Sequence, residues 1–159
     1  MAVGDSSFMN GEQGATQAGY FIMGCEPDMW KNGFGKVSCL SWRSHKLRRK
    51  VRSTLAAETM AMNESTEEAD LIRAYVAESR NEDFDLRRWQ DHVREVKLTA
   101  ITDCKSLYDH LNKQGSSPPD DKRLSLDIQI LRDLMADGMV VRWVATVQML
   151  ADALTKSTT

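Results

Sequence analysis

Residues 53–78 run for 26 positions without a Gly or a Pro, and the run is rich in Ala, Met and Glu. Ser53 or Thr54 can accept from the free N–H groups that open a helix. A helix of this length must lie across something large. The sequence before it supplies three strand candidates: residues 1–8 (MAVGDSSF), residues 15–24 (ATQAGYFIMG) and residues 37–42 (VSCLSW), the last alternating apolar and small polar residues as a half-buried strand does. Gly11 and Gly14 mark the first turn between them. Residues 26–35, with Pro27, Asn32, Gly33 and Gly35, read as a loop. Three strands at hairpin spacing form an antiparallel meander.

Beyond the long helix the periods alternate again. Residues 81–95 are charged, with a short helix around residues 86–92. Residues 96–102 (VKLTAIT) form a strand that runs directly into Asp103. A short helix over 106–112 is stopped by Gly115, Ser116, Ser117, Pro118 and Pro119. Residues 122–136 place Leu124, Ile128, Leu131, Leu134 and Met135 at helical spacing and end near Gly138. Residues 139–144 are a last strand, and Thr146 can cap a closing helix that carries Leu150, Asp152 and Leu154. The order βββαβααβα gives an α/β protein, a mixed sheet with helices on its faces. No internal repeat breaks residues 1–159, which read as one domain.

Composition narrows the function classes. The chain has 159 residues, a formal net charge of −2, 42% hydrophobic and 28% charged residues, which fits one globular core. No stretch approaches the roughly 20 apolar residues of a membrane span. Cys25, Cys39 and Cys104 are odd in number and scattered, so they read as reduced thiols of an intracellular protein, cytoplasmic or nuclear. Nucleic-acid binding would have to come from a local patch, because net charge does not supply it.

Four carboxylates stand in awkward places: Asp5 in a strand, Glu58 on the long helix, Asp103 at a strand end and Asp152 near the C-terminus. Glu58 shares a helical stripe with Leu55 and Met62; the bland alternative turns it outward with Glu64, Glu67 and Glu68. Asp103 sits where open α/β sheets place their sites, or else caps the following helix. Asp5 is a residue type depleted from strands, or part of a frayed end. Asp152 gains from the dipole of its helix. None is specific alone. Their order and contexts together are, and acids so placed are the usual holders of two divalent ions about 4 Å apart in phosphodiester hydrolysis. Arg43, Lys46, Arg48, Arg49, Lys50 and Arg52 crowd the link before the long helix; they can hold backbone phosphates, or form a solvated connector. Trp42, beside them, reads as core, and Met60 and Met62 as helix packing. Cys104 lacks the His and Asn a nucleophile needs.

Several segments reach a resemblance. Ser41-Trp42-Arg43-Ser44 followed by Arg52-Ser53-Thr54-Leu55-Ala56-Ala57-Glu58-Thr59-Met60-Ala61 resembles the "SW-S-K … S-S-T-A-E-A-E-Y-M-A" stretch of copia-type retrotransposon ribonuclease H domains. Thr102-Asp103-Cys104-Lys105-Ser106 is similar to that family's "C-D-N-K/Q-S", and Leu150-Ala151-Asp152-Ala153-Leu154-Thr155-Lys156 to its closing "L-A-D-I-L-T-K". Gly4-Asp5-Ser6-Ser7 and Ala18-Gly19-Tyr20 correspond more loosely. Residues 80–94 are unmatched. The resemblance implies a ribonuclease H-like fold, a five-stranded mixed sheet of order 3-2-1-4-5. It implies cleavage of the RNA strand of RNA·DNA hybrids, leaving a 5′ phosphate and a 3′ hydroxyl, in a fragment that follows a polymerase domain in a polyprotein. It also implies two Mg²⁺ ions, replaceable by Mn²⁺, held by Asp5, Glu58, Asp103 and Asp152, with Asp5 bridging.

The chain departs from that pattern in three places. None of His45, His92 and His110 lies in the interval before the last Asp, where ribonucleases H often carry a loop histidine. Ser125 stands where copia-type domains have the His of "K-H-I-D-I", and Cys104 where Asn is common. A non-catalytic nucleic-acid or protein-binding module of the same fold is the first alternative. An integrase-like nuclease is the second, although Glu58 precedes Asp103 where that class places its Glu after.

Overall fold

The computed structural model describes residues 1–9, 14–113 and 119–156. Gly11 and residues 115–118, read above as turn punctuation, lie outside the described residues.

Five strands form one mixed sheet in the order β3-β2-β1-β4-β5: β1 (Ala2–Ser7), β2 (Gln17–Cys25), β3 (Val37–Lys46), β4 (Thr99–Thr102) and β5 (Val140–Trp143). The β1–β2 and β2–β3 pairs are antiparallel; β4 lies parallel to both β1 and β5. The parallel pairs require crossovers, and helices supply them. These are α2 (Thr54–Arg80), α3 (Trp89–Val93), α4 (Lys105–Asn112) and α5 (Lys122–Ala136). Two four-residue helices complete the set, α1 (Met29–Asn32) and α6 (Asp152–Thr155). α1 falls inside the stretch read as loop; four residues are too few to show a period.

α2 is capped as its sequence requires, with Ser53 Oγ accepting from Ala56 N–H at 3.1 Å. The side it turns to the sheet is small and partly polar: Ala56, Ala57, Thr59, Ala61, Met62, Ser65, Thr66 and Ala69 are all buried. The buried hydroxyls return to the helix's own carbonyls, Thr59 to Leu55 at 2.7 Å and Ser65 to Met62 at 2.8 Å, so burial leaves them satisfied. Small side chains let the helix sit low on β1. Gly4 completes the fit, since a Cβ there would stand 2.9 Å from the Ala61 carbonyl oxygen.

The main core lies between this face of the sheet and α2, α4 and α5, with Ile22, Met62, Leu107, Ile128 and Leu131 among its buried members. α5 keeps the boundaries its period predicts, and Asp121 caps it through the N–H groups of Arg123 and Leu124. A smaller core of Val3, Met23, Ile101, Met149 and Ala151 fills the opposite face under the C-terminal segment. β3 forms the edge of the sheet, and most of its side chains are exposed. The expectation of a half-buried strand with Trp42 in the core is therefore corrected. Trp42 is 64% exposed: it is in register with Phe21 and Val3, on the face of the smaller core, and stands on the edge strand beyond the residues that fill that core.

A carboxylate cluster at the ends of two neighbouring strands

Continuing the β1–β4 register, in which Ala2 faces Ala100 and Val3 faces Ile101, sets Asp5 alongside Asp103. β1 and β4 run parallel, so both acids emerge at the same end of the sheet. The close seat of α2 on β1 brings Glu58 to the same point. One carboxylate oxygen from each of Asp5, Glu58 and Asp103 lies within 4.8 Å of the other two. Asp5 and Glu58 are buried, at 4% and 5% exposure, and Asp103 is half-buried. Asp103 does not cap α4; Cys104 holds that position. Glu58 points inward, away from the outward-facing Glu67.

None of the three acids forms an ion pair among the described residues. Each buried one has a hydroxyl partner instead. Ser6 Oγ donates to Glu58 Oε1 at 2.8 Å, and Thr155 Oγ1 donates to Asp5 Oδ2 at 2.6 Å. Two hydroxyls do not offset the burial of adjacent charges. Burial, and after it the neighbouring Asp5, pushes the Glu58 carboxyl up to about 8. Burial also raises Asp5, against the lowering effect of the Thr155 bond. The cluster therefore takes up a proton or a cation. Its donors are all carboxylate oxygens, the set that suits Mg²⁺, Mn²⁺ or Ca²⁺ rather than Zn²⁺ or copper.

Asp152 stands beside this group rather than within it. It opens α6 and lies near enough to raise Asp5 electrostatically, but its Oδ2 is 2.5 Å from Lys156 Nζ, one helical turn on. α6 is drawn to the sheet where β2 has no side chain: a Cβ on Gly19 would meet Leu154 Cβ at 2.5 Å. That contact also delivers Thr155 to Asp5. Ser6 and Thr155 carry no sequence signal of their own beyond lying within three residues of a candidate acid.

The basic link is mostly open to solvent. Arg43, Lys46, Arg48, Lys50 and Arg52 are exposed, whereas Arg49 is half-buried and ion-paired with Asp127 of α5. Arg43, Arg48 and Arg49 border a pocket in which His45 Nε2 also lies 2.7 Å from Glu64 Oε2. Burial raises the Cys104 thiol above its ordinary value, which disfavours the thiolate a nucleophile requires.

The chain has the ribonuclease H fold. RNase H1 from the halophilic archaeon Halobacterium salinarum NRC-1 is similar in structure with a TM-score of 0.61, at 17% identity over 96% of this chain and 91% of that one. The N-terminal RNase H domain of a Mycobacterium tuberculosis protein, solved as a fusion with maltose-binding protein, is similar with a TM-score of 0.55, at 14% identity over 97% and 88%. No family model matches the sequence, and no curated protein matches it. Among the described residues, no helix is long and apolar enough to cross a membrane.

Proposed function

We propose that this protein hydrolyses the RNA strand of RNA·DNA hybrids in a reaction that depends on divalent metal. The observation that carries this reading is the cluster of Asp5, Glu58 and Asp103, buried or half-buried and ion-paired with no Lys, Arg or His among the described residues, where two strands end in a ribonuclease H fold. Asp5, Glu58 and Asp103 hold the metal, with Asp152 as a fourth carboxylate at its margin. Bound there, two Mg²⁺ ions would supply Lewis-acid charge to the attacking and leaving oxygens of the phosphodiester. The protein's own contribution is positional. Ser6 and Thr155 fix one oxygen each of Glu58 and Asp5, and the rigid seat of α2 on β1 holds the acids at a spacing set by the fold. Arg43, Lys46, Arg48, Lys50 and Arg52 take phosphates of the duplex, a contact that positions substrate without reading sequence.

The motifs around Glu58 and Asp152 support a place at the end of a copia-type retroelement polyprotein, downstream of a polymerase domain. Incubation of a labelled hybrid with the protein in Mg²⁺ or in EDTA tests the activity. The expected result is cleavage of the RNA strand in Mg²⁺ only, giving 5′ phosphate ends. The Lys156–Asp152 ion pair favours one second reading, a non-catalytic module that binds hybrid without cutting it. Hybrid binding without cleavage in either Mg²⁺ or Mn²⁺ is the result that selects it.

A further inference from the structure

Beside the acid cluster, across the edge strand β5, lies a pocket of about 440 Å³ bordered by Trp30, Lys105, Tyr108, Arg142 and Trp143. The Arg142 guanidinium lies 4.4 Å from the centre of the Trp30 ring, and Lys105 Nζ lies 4.8 Å and 5.7 Å from the Tyr108 and Trp143 rings. Both tryptophans remain open, at 38% and 44% exposure. Lys105 also reaches Asp109 at 3.1 Å, whereas Arg142 forms no ion pair among the described residues. One contact joins the pocket to the site: Trp143 Nε1 donates to the Asp103 carbonyl oxygen at 2.9 Å. That bond occupies the edge of the indole, Lys105 lies over one of its faces, and the ring stays 44% exposed.

We propose that this pocket is a stacking subsite for an unpaired nucleotide that flanks the substrate duplex. Aromatic faces interleaved with Arg and Lys are the combination that holds single-stranded nucleic acid, the rings taking bases and the cations taking phosphates. Within a duplex the base faces are already stacked on one another, so only an unpaired nucleotide can present one. A strand held at Asp103 would pass next to Trp143, whose indole N–H donates to the Asp103 carbonyl oxygen. The assignment of the ligand as the flank of a hybrid rests on the proposed function; the aromatic and cationic geometry does not.

The test is fluorescence anisotropy with a labelled RNA·DNA hybrid, either blunt or carrying a short single-stranded overhang, in EDTA to prevent cleavage. The expected result is that the overhang tightens binding to the unaltered protein about fivefold or more. Trp30→Ala and Arg142→Ala remove that gain and leave the affinity for blunt hybrid unchanged. Arg142 is exposed, so its variant decides the matter if Trp30→Ala folds poorly. Equal binding of blunt and overhanging hybrid by the unaltered protein overturns the subsite, as does a gain that survives in Arg142→Ala. A protein that cleaves hybrid but shows no gain loses the subsite and keeps the proposed activity. One that shows the gain, loses it in Arg142→Ala and cleaves nothing keeps the subsite and loses the activity.

Discussion

Ser6 Oγ donates a 2.8 Å hydrogen bond to Glu58 Oε1, joining the first strand to the long helix across 52 residues of sequence. The bond ties the placement of a buried acid to the packing of α2 on β1. It also leaves Glu58 with a hydroxyl where a buried carboxylate needs a cation, and the pH dependence of stability follows from that.

Glu58 has its folded-state carboxyl raised to about 8, against an ordinary value of 4.5. Between those two pH values the folded form holds a proton that the unfolded chain has lost. Stability of the metal-free protein therefore falls as pH rises through this window, by at most about 1.4 kcal/mol per pH unit from this group. The expected melting temperature in EDTA is higher at pH 5 than at pH 8. Glu58→Gln flattens this slope and stabilises the metal-free protein at pH 8. A melting temperature that does not fall between pH 5 and pH 8 in EDTA shows that Glu58 is ionised without cost.

A metal that binds only the folded form raises its stability, by about 2.7 kcal/mol at a hundredfold excess over the dissociation constant. Millimolar Mg²⁺ or Mn²⁺ is expected to raise the melting temperature at pH 8. Asp103→Asn is expected to retain the fold, to respond less to metal and to lose hybrid cleavage. Joint loss of fold and activity would assign Asp103 to the structure instead.

The six basic residues of the link are not equivalent. Arg48 and Lys50 are exposed, whereas Arg49 is engaged with Asp127. Neutralising Arg48 and Lys50 is expected to leave the melting temperature unchanged and to lower the slope of log affinity against log salt by about 2. Arg49→Ala is expected to lower stability as well. An unchanged salt slope in the double variant returns the link to the role of a solvated connector.

Gly19→Ala places a methyl group where Leu154 Cβ would stand 2.5 Å away. α6 must shift, at a cost of about 1–3 kcal/mol, and the shift withdraws Thr155 from Asp5. The melting temperature is expected to fall, and cleavage to fall with it. An active, fully stable Gly19→Ala protein shows that the seat of α6 is not needed.

Much of this arrangement is legible in the residues. Asp5 in a strand and Glu58 between Leu55 and Met62 are out of place by local preference, which is what a site looks like in sequence. The bounds of α5 follow from its period and from Gly138. The exposure of Trp42 is not legible, because alternation along a strand states which residues share a face but not whether that face is covered. Nor is the Thr155–Asp5 bond, which closes over 150 residues, or the position of Trp30, carried by a helix too short to leave a periodic trace. Lys156 falls one helical turn after Asp152, a spacing at which an ion pair can form or not.

Binding of Mn²⁺ followed by electron paramagnetic resonance tests the central claim most directly, that Asp5, Glu58 and Asp103 form one metal centre. The account predicts that the free Mn²⁺ signal falls on adding protein at millimolar concentrations or below, that Mg²⁺ restores it by competition, and that Asp103→Asn and Glu58→Gln bind at least tenfold more weakly. A signal unchanged by the protein, or binding equal in all three proteins, would contradict it.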